Sequence, residues 1–541
     1  MSNSGAPPDS ESPDLVETPV KKGMTPIALA SLVICGGVAA VGLYNPDGLV
    51  SVVTKITTFS LDSFDWVFII SITFFIFFCF FLAFSRYGDI KLGAPDDEPE
   101  FGMVSWVSML FAAGMGSGLL FWGVAEPLHH YMAPPPEQTA MTAQSARWAL
   151  IVTNLHWGIH AWGIYAMGAL VLGYFGFRKG YPLLASSPIK AVIKGASGKV
   201  LGGLADIIAV IAVALGIAGS LGMGVVQINS GLVEVFGTPS ESMTMTGIIL
   251  AVLVLFYMVP VATKIDKGIK FLSNLNVALV VAMMLYILFL GPTSFNLSTF
   301  ATSLGDYITS IINLSFKLYP YSGEKEWTRV WTLTYLIWWI AWTPFVGIFI
   351  ARISRGRTIR GFVITVMLVP TLFSVLWFSV MGGTGLFIEL FGEGGLASIV
   401  LEDPSRALFA LFNYFPLPSV LSVVTIVLIF IFLSTSAASG SFVLGMMTSE
   451  GALEPPTSRK LFWAAIIACL TGAVLLSGGD VTVLRALAVS GAIPFTIIMI
   501  LHTACLFRSL AEEPAPGTES PPQLERGTKA PGEPKAEGVV P

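Results

Sequence analysis

Twelve apolar runs recur along the chain, near residues 26–44, 66–86, 104–124, 147–175, 203–235, 246–262, 268–291, 328–351, 358–388, 418–448, 461–478 and 486–508. Runs of roughly 20 apolar residues match the thickness of a bilayer core, and inside lipid the backbone of such a run is satisfied within the segment only as a helix. The pattern therefore predicts an all-α membrane protein with 12 transmembrane helices. Several runs exceed the bilayer thickness, which implies tilt. Charged residues make up only 12% of the chain, about half the share in a soluble domain. With a net charge of −5 and the basic residues confined to short loops, nothing points to nucleic acid as a partner. Cys35, Cys79, Cys469 and Cys505 all fall inside apolar runs, so they read as small core residues rather than a disulfide or metal framework.

Outside the membrane region, residues 1–24 are polar and rich in Ser, Pro and Asp, and 509–541 are rich in Pro, Glu and Gly. Both are expected to be disordered. The segment 296–319 is amphipathic and too polar to span, which suggests a helix lying along the outer surface. With the N-terminus placed inside and 12 spans counted, 22 of the 29 Lys and Arg residues fall on the inner side and 7 on the outer. That asymmetry puts both termini in the cytoplasm. Moving a single span in or out would scramble it.

The stretch from Trp327 to Arg360 holds five of the 13 tryptophans. Trp331, Tyr335, Trp338 and Trp342 follow at steps of four, three and four, which puts their rings on one helical face. Trp339 flanks that face. A row of π-faces attracts a cation at roughly 0.5–2 kcal/mol per ring and offers it no counter-charge. The same row would also serve as packed core or as an aromatic belt, and spacing alone leaves these open. A second aromatic cluster, Trp157, Trp162 and Tyr165, occurs in the fourth run.

The third run carries Gly114, Gly116 and Gly118 at alternate positions, followed by Gly123. Each glycine costs a helix interior about 1 kcal/mol against alanine, so this density predicts a local break. A broken span frees backbone N–H and C=O groups that can hold a substrate's anionic group and a coupling ion. In the tenth run, Ser434, Thr435, Ser436 and Ser439 set hydroxyls in an apolar stretch. They either bond back to the preceding turn or, with freed carbonyls, coordinate a hard cation such as Na+. His156 and His160 share one face of the fourth run. With no further ligand evident from the sequence, they read as interhelical hydrogen-bonding groups. Glu126, Asp206 and Glu234 lie near span ends and read as solvated, leaving no acidic residue beside the aromatic rows. A free cation there would be an unpaired charge in a low-dielectric site. A zwitterion brings its own counter-charge.

These residues resemble the betaine/carnitine/choline transporter family. The motifs that carry the likeness are GMGSG with WGVAEP in the third run, KGYPLL after the fourth, DKGIKFLSNLN before the seventh and WTLTYLIWWIAWTPFVGIFIARISRGR in the eighth. The resemblance covers about 25–508, read as a twelve-span transporter domain. It implies a LeuT-like core of two inverted five-helix repeats, at about 100–292 and 327–508, preceded by two lead helices. It also implies a homotrimer in the cell inner (plasma) membrane. Carried over by motif, the substrate site comprises Trp157, Trp162, Tyr165, Trp338, Trp339 and Trp342 with Gly114, Gly116 and Gly118. A Na+ site would use carbonyls of Ala112, Met115 and Phe432 and the hydroxyls of Thr435 and Ser436. The implied function is secondary import of a small zwitterionic quaternary ammonium or sulfonium compound. Glycine betaine comes first and dimethylsulfoniopropionate or carnitine next, with Na+ as coupling ion and no other cofactor. No enzyme activity is expected. Proton-coupled choline uptake or substrate exchange within the same family, and an ammonium-type channel using His156 and His160, are the competing readings. An interrupted span at Pro344, paired with the glycine break, favours a carrier.

Overall fold

A computed structural model describes residues 24–513 except 115, 240–241, 264–265, 322–324 and 479. Met115 and the expected disordered segments 1–23 and 514–541 therefore lie outside the described residues. The described chain is all helix, with one isolated backbone bridge between Lys91 and Thr358. In order the helices are α1 (Pro26–Tyr44), α2 (Pro46–Phe84), α3 (Met103–Gly114), α4 (Ser117–Met132), α5 (Ala143–Trp157), α6 (Ile159–Gly173), α7 (Ser186–Val192), α8 (Gly195–Phe236), α9 (Met243–Thr263) and α10 (Asp266–Leu290). They continue as α11 (Thr293–Leu314), α12 (Lys325–Thr328), α13 (Thr334–Arg352), α14 (Ile359–Phe391), α15 (Leu396–Glu402), α16 (Ala407–Phe412), α17 (Pro418–Met447), α18 (Thr457–Leu475) and α19 (Val481–Ala511). Eleven helical segments among the described residues are long and apolar enough to cross a membrane. This is a multi-pass membrane protein. The third run adds no segment to that tally because it is divided into α3 and α4, of 12 and 16 residues.

That division falls where the alternating glycines predict it. Gly114 closes α3, and Gly116 is the residue before α4, with extended backbone and no side chain capping the new helix. The fourth run breaks as well. Gly158, at φ −99° and ψ −132°, separates α5 from α6. By contrast, α13 runs unbroken through Pro344. Thr343 Oγ1 donates to the Trp339 carbonyl at 2.9 Å. That bond lies within the hydroxyl's own turn and leaves the Ile340 carbonyl, which Pro344 deprives of an amide, to other partners. Membrane helices tolerate proline where neighbouring helices and local adjustments satisfy the backbone. The interruption expected at Pro344 is absent, and the only irregularity is a widened turn over Arg329–Leu333. The amphipathic segment forms α11, which buries Asn296, Ser303, Tyr307 and Leu314 against α5 and α14.

The last helix reaches Ala511, three residues into the expected tail. Glu513 is fixed just beyond it by Arg178 Nη2 at 2.7 Å, Lys179 Nζ at 2.7 Å and Tyr174 Oη at 2.8 Å. Burial pushes its carboxyl up, but hydrogen bonds from Arg178, Lys179 and Tyr174 outweigh that and hold it at about 2 against an ordinary 4.5. A depressed carboxylate stabilises the fold above its unfolded value and loses that contribution as pH falls through the folded value. Thermal unfolding of the detergent-solubilised protein should therefore show that Glu513→Gln lowers stability at pH 7 by on the order of 1 kcal/mol, allowing for solvent screening. The difference from wild type should shrink as the pH drops from 4.5 towards 2.

Candidate functional site

The two helix breaks and the middle of α13 meet around one cavity. It is lined by Gly116, Ser117 and Gly118 at the start of α4, by Trp157 and Tyr165 on either side of the second break, and by Trp338, Trp339 and Trp342 of α13. Phe432, Thr435 and Ser436 of α17 and Ser220 and Gln227 of α8 close it. No charged side chain lines it among the described residues.

The ring geometry follows from chain paths. Trp157 and Tyr165 each stand nearly perpendicular to Trp339, with centroids 5.1 Å and 5.6 Å away. Trp162 is buried behind Tyr165, 5.8 Å away, and is not among the lining residues. Gly118 makes the approach of α4 possible, since a Cβ there would lie 2.9 Å from the Trp157 ring. Gly114 is the last residue of α3.

The break at Gly158 leaves backbone groups without helical partners, and neighbouring side chains take them up. Trp339 Nε1 donates to the His156 carbonyl at 2.7 Å, and the Ile159 amide donates to Tyr307 Oη at 2.9 Å. One tryptophan thus walls the cavity and caps the break. A Cβ at residue 158 would sit 2.4 Å from the Asn154 carbonyl oxygen and 2.8 Å from Tyr307 Oη. The first of these is backbone and has nowhere to go. Gly158→Ala should destabilise the folded protein by about 1–3 kcal/mol, read as a lower unfolding temperature, with uptake reduced in proportion to Trp157 displacement.

The aromatic row, which starts in the widened turn at Trp331 and continues along α13, divides in two. Trp338 and Trp342 face the cavity, whereas Trp331 and Tyr335 already hold a cation of the protein itself. Arg485 of α19 is buried, its guanidinium carbon 4.8 Å from the Trp331 centroid, 5.0 Å from Tyr335 and 5.3 Å from Trp122. It donates to the Val330 carbonyl at 2.6 Å.

Glu126 and Asp206 correct the expectation of solvated carboxylates: both are completely buried. Glu126 accepts from Trp157 Nε1 at 2.7 Å and pairs with His156 Nδ1 at 2.6 Å, so an acidic group does stand beside the aromatic wall, though outside the cavity lining. Asp206 accepts from the Ser186 amide at 2.8 Å. His156 Nε2 lies 3.1 Å from Thr332 Oγ1, and His160 Nε2 2.9 Å from Ser315 Oγ, both bridging helices or their flanks. Of the groups proposed for Na+, Phe432, Thr435 and Ser436 line the cavity. Thr435 Oγ1 donates to the Ile431 and Phe432 carbonyls at 2.9 Å and 3.1 Å, and its oxygen keeps its acceptor capacity. Ala112 lies in the last turn of α3, where carbonyls have no intrahelical partner. Sequence reading missed Gly158, Arg485 and Gln227 and placed Glu126 in solvent. Gln227 Nε2 donates to the Leu120 carbonyl at 3.2 Å.

A multi-pass helical protein with broken helices around an aromatic chamber that carries no charged side chain among the described residues has the architecture of a membrane carrier. The chain belongs to the BCCT family, the betaine/carnitine/choline family transporters, whose family model matches residues 26–515. It is 44% identical to the glycine betaine transporter OpuD of Bacillus subtilis (strain 168) over 473 residues, covering 87% of this chain and 91% of that one. It is 38% identical to the ectoine/hydroxyectoine transporter of Virgibacillus pantothenticus, covering 90% and 96%. A probable glycine betaine transporter of Desulfitobacterium hafniense (strain Y51) is 36% identical, covering 87% and 94%. The protein is a transporter and not an enzyme.

Proposed function

We propose that this transporter imports a zwitterionic onium compound, glycine betaine first, with dimethylsulfoniopropionate or carnitine as the next candidates, and that Na+ drives it. The observation that carries the reading is a cavity with π-faces on one wall, an uncapped helix start on the other and, among the described residues, no charged side chain on either. A methylated cationic head group gains from Trp157, Tyr165, Trp338, Trp339 and Trp342 by cation–π attraction. Its carboxylate gains from the free amides and positive dipole end of α4 at Gly116, Ser117 and Gly118. A bare cation such as choline would lack that second contact. The 44% identity to a glycine betaine transporter supports the same substrate. Alternating access follows by rocking the broken third span and α13 against the remaining helices about this midplane site. The twelve-span LeuT-like arrangement, with α3 and α4 counted as one interrupted span, belongs to this reading. So do assembly as a homotrimer, residence in the plasma membrane and cytoplasmic termini.

Uptake of radiolabelled glycine betaine, dimethylsulfoniopropionate, carnitine and choline into proteoliposomes, each with and without a Na+ gradient, tests the reading. Saturable, Na+-dependent entry of the zwitterions over choline is expected. Preference for choline, or entry driven by a proton gradient in Na+-free buffer, would reject the respective part.

A further inference from the structure

Three of the five histidines gather outside the cavity with one carboxylate. His130 is completely buried, its Nδ1 has no hydrogen-bond partner, and its Nε2 has only a long contact with Glu126. Its Nε2 lies 3.4 Å from Glu126 Oε1, and that same oxygen is 2.6 Å from His156 Nδ1. One ligand atom from each of the three side chains falls within 4.8 Å of the others. Leaving a buried imidazole unsatisfied is costly unless another group completes it.

We propose that Glu126, His130 and His156 bind a divalent transition-metal ion of the zinc class, and that the bound ion arrests transport. Two imidazoles and a carboxylate are a ligand set that suits zinc, at about 2.0–2.2 Å from the metal. Tetrahedral ligands at that radius stand about 3.4 Å apart. Glu126 and His130 already have this separation, and Glu126 and His156 reach it by parting less than about 1 Å. The proton they share leaves as the ion enters, which limits the added positive charge near Arg485. Thr332 Oγ1 is within hydrogen-bond reach of the far nitrogen of His156 and can accept its N–H, fixing the tautomer as outer-shell partners of metal-bound histidines do. His129, partly exposed and packed on Trp331 at 4.6 Å, marks the way in. The ion would tie α4 to α5. Trp157 follows His156 directly and donates to the other oxygen of Glu126, so the clamp would immobilise the cavity wall.

The test uses the purified full chain without a polyhistidine tag. Calorimetric titration with Zn2+ should give one ion per chain, and His130→Gln should bind at least about tenfold more weakly. His160→Gln, outside the cluster, should bind like wild type. X-ray absorption at the zinc edge of the wild type should show nitrogen and oxygen neighbours with two imidazoles and no sulfur. This holds whether or not the variant folds. Zn2+ should block glycine betaine uptake reversibly on chelation. No saturable binding, equal binding by His130→Gln, or a sulfur shell from the cysteines would overturn the site. Binding without block would overturn the arrest. Neither outcome touches the substrate reading.

Discussion

Replacing Trp339 by leucine should reduce glycine betaine uptake at least about tenfold while the protein still reaches the membrane. Two losses combine. One π-face goes, worth roughly 0.5–2 kcal/mol to a bound cation. The His156 carbonyl also loses its indole partner at 2.7 Å, which leaves a buried acceptor unpaired at a cost of about 1–3 kcal/mol. At 1.4 kcal/mol per factor of ten, the sum exceeds one order of magnitude. Trp339→Phe separates the two contributions. It keeps a π-face but not the N–H, so its apparent substrate affinity should fall less than its maximal rate. Uptake kinetics of both variants, normalised to surface protein, provide the check. Wild-type kinetics for Trp339→Leu would rule out the aromatic cage.

The double role of Trp339 also explains what could and could not be seen in the sequence. Helical spacing places Trp338 and Trp342 on one face, and both line the cavity. The same spacing gave no sign that Trp331 and Tyr335 are already engaged, because their cation, Arg485, comes from a helix some 150 residues later. The break after Gly114 was legible because three glycines crowd five residues. A single glycine at 158 carries no such signal. Its non-helical geometry comes from tertiary contacts, with Tyr307 of α11 and Trp339 of α13 taking the freed backbone groups. Glu126 misled for a similar reason. A carboxylate before a proline near a span end reads as solvated, and only the packing of α5 against α4 brings His156 and Trp157 onto it. Pro344 was over-read, since a membrane helix packed on its neighbours tolerates a proline and this one continues through it.

Thr435 offers the second large effect, on the coupling ion. In Na+-free buffer wild-type uptake should drop at least about tenfold, and Thr435→Ala should raise the Na+ concentration for half-maximal uptake by about tenfold or more, equivalent to about 1.4 kcal/mol. The reasoning starts from ligand chemistry. Na+ needs several oxygen donors, and a site without carboxylates must use hydroxyls and carbonyls. Thr435 and Ser436 supply the former on the cavity side of α17, and the end of α3 at Ala112 supplies carbonyls that no helical amide occupies. Such an ion would join α17 to the broken span, so substrate and ion would favour the same closed arrangement and each would tighten the other. Thr435→Ser retains the oxygen and should keep near-wild-type Na+ dependence, whereas Thr435→Val, similar in volume, should behave like alanine. If valine and serine were equivalent, the hydroxyl would serve only its own helix, through the Ile431 and Phe432 carbonyls, and the coupling ion would have to bind elsewhere.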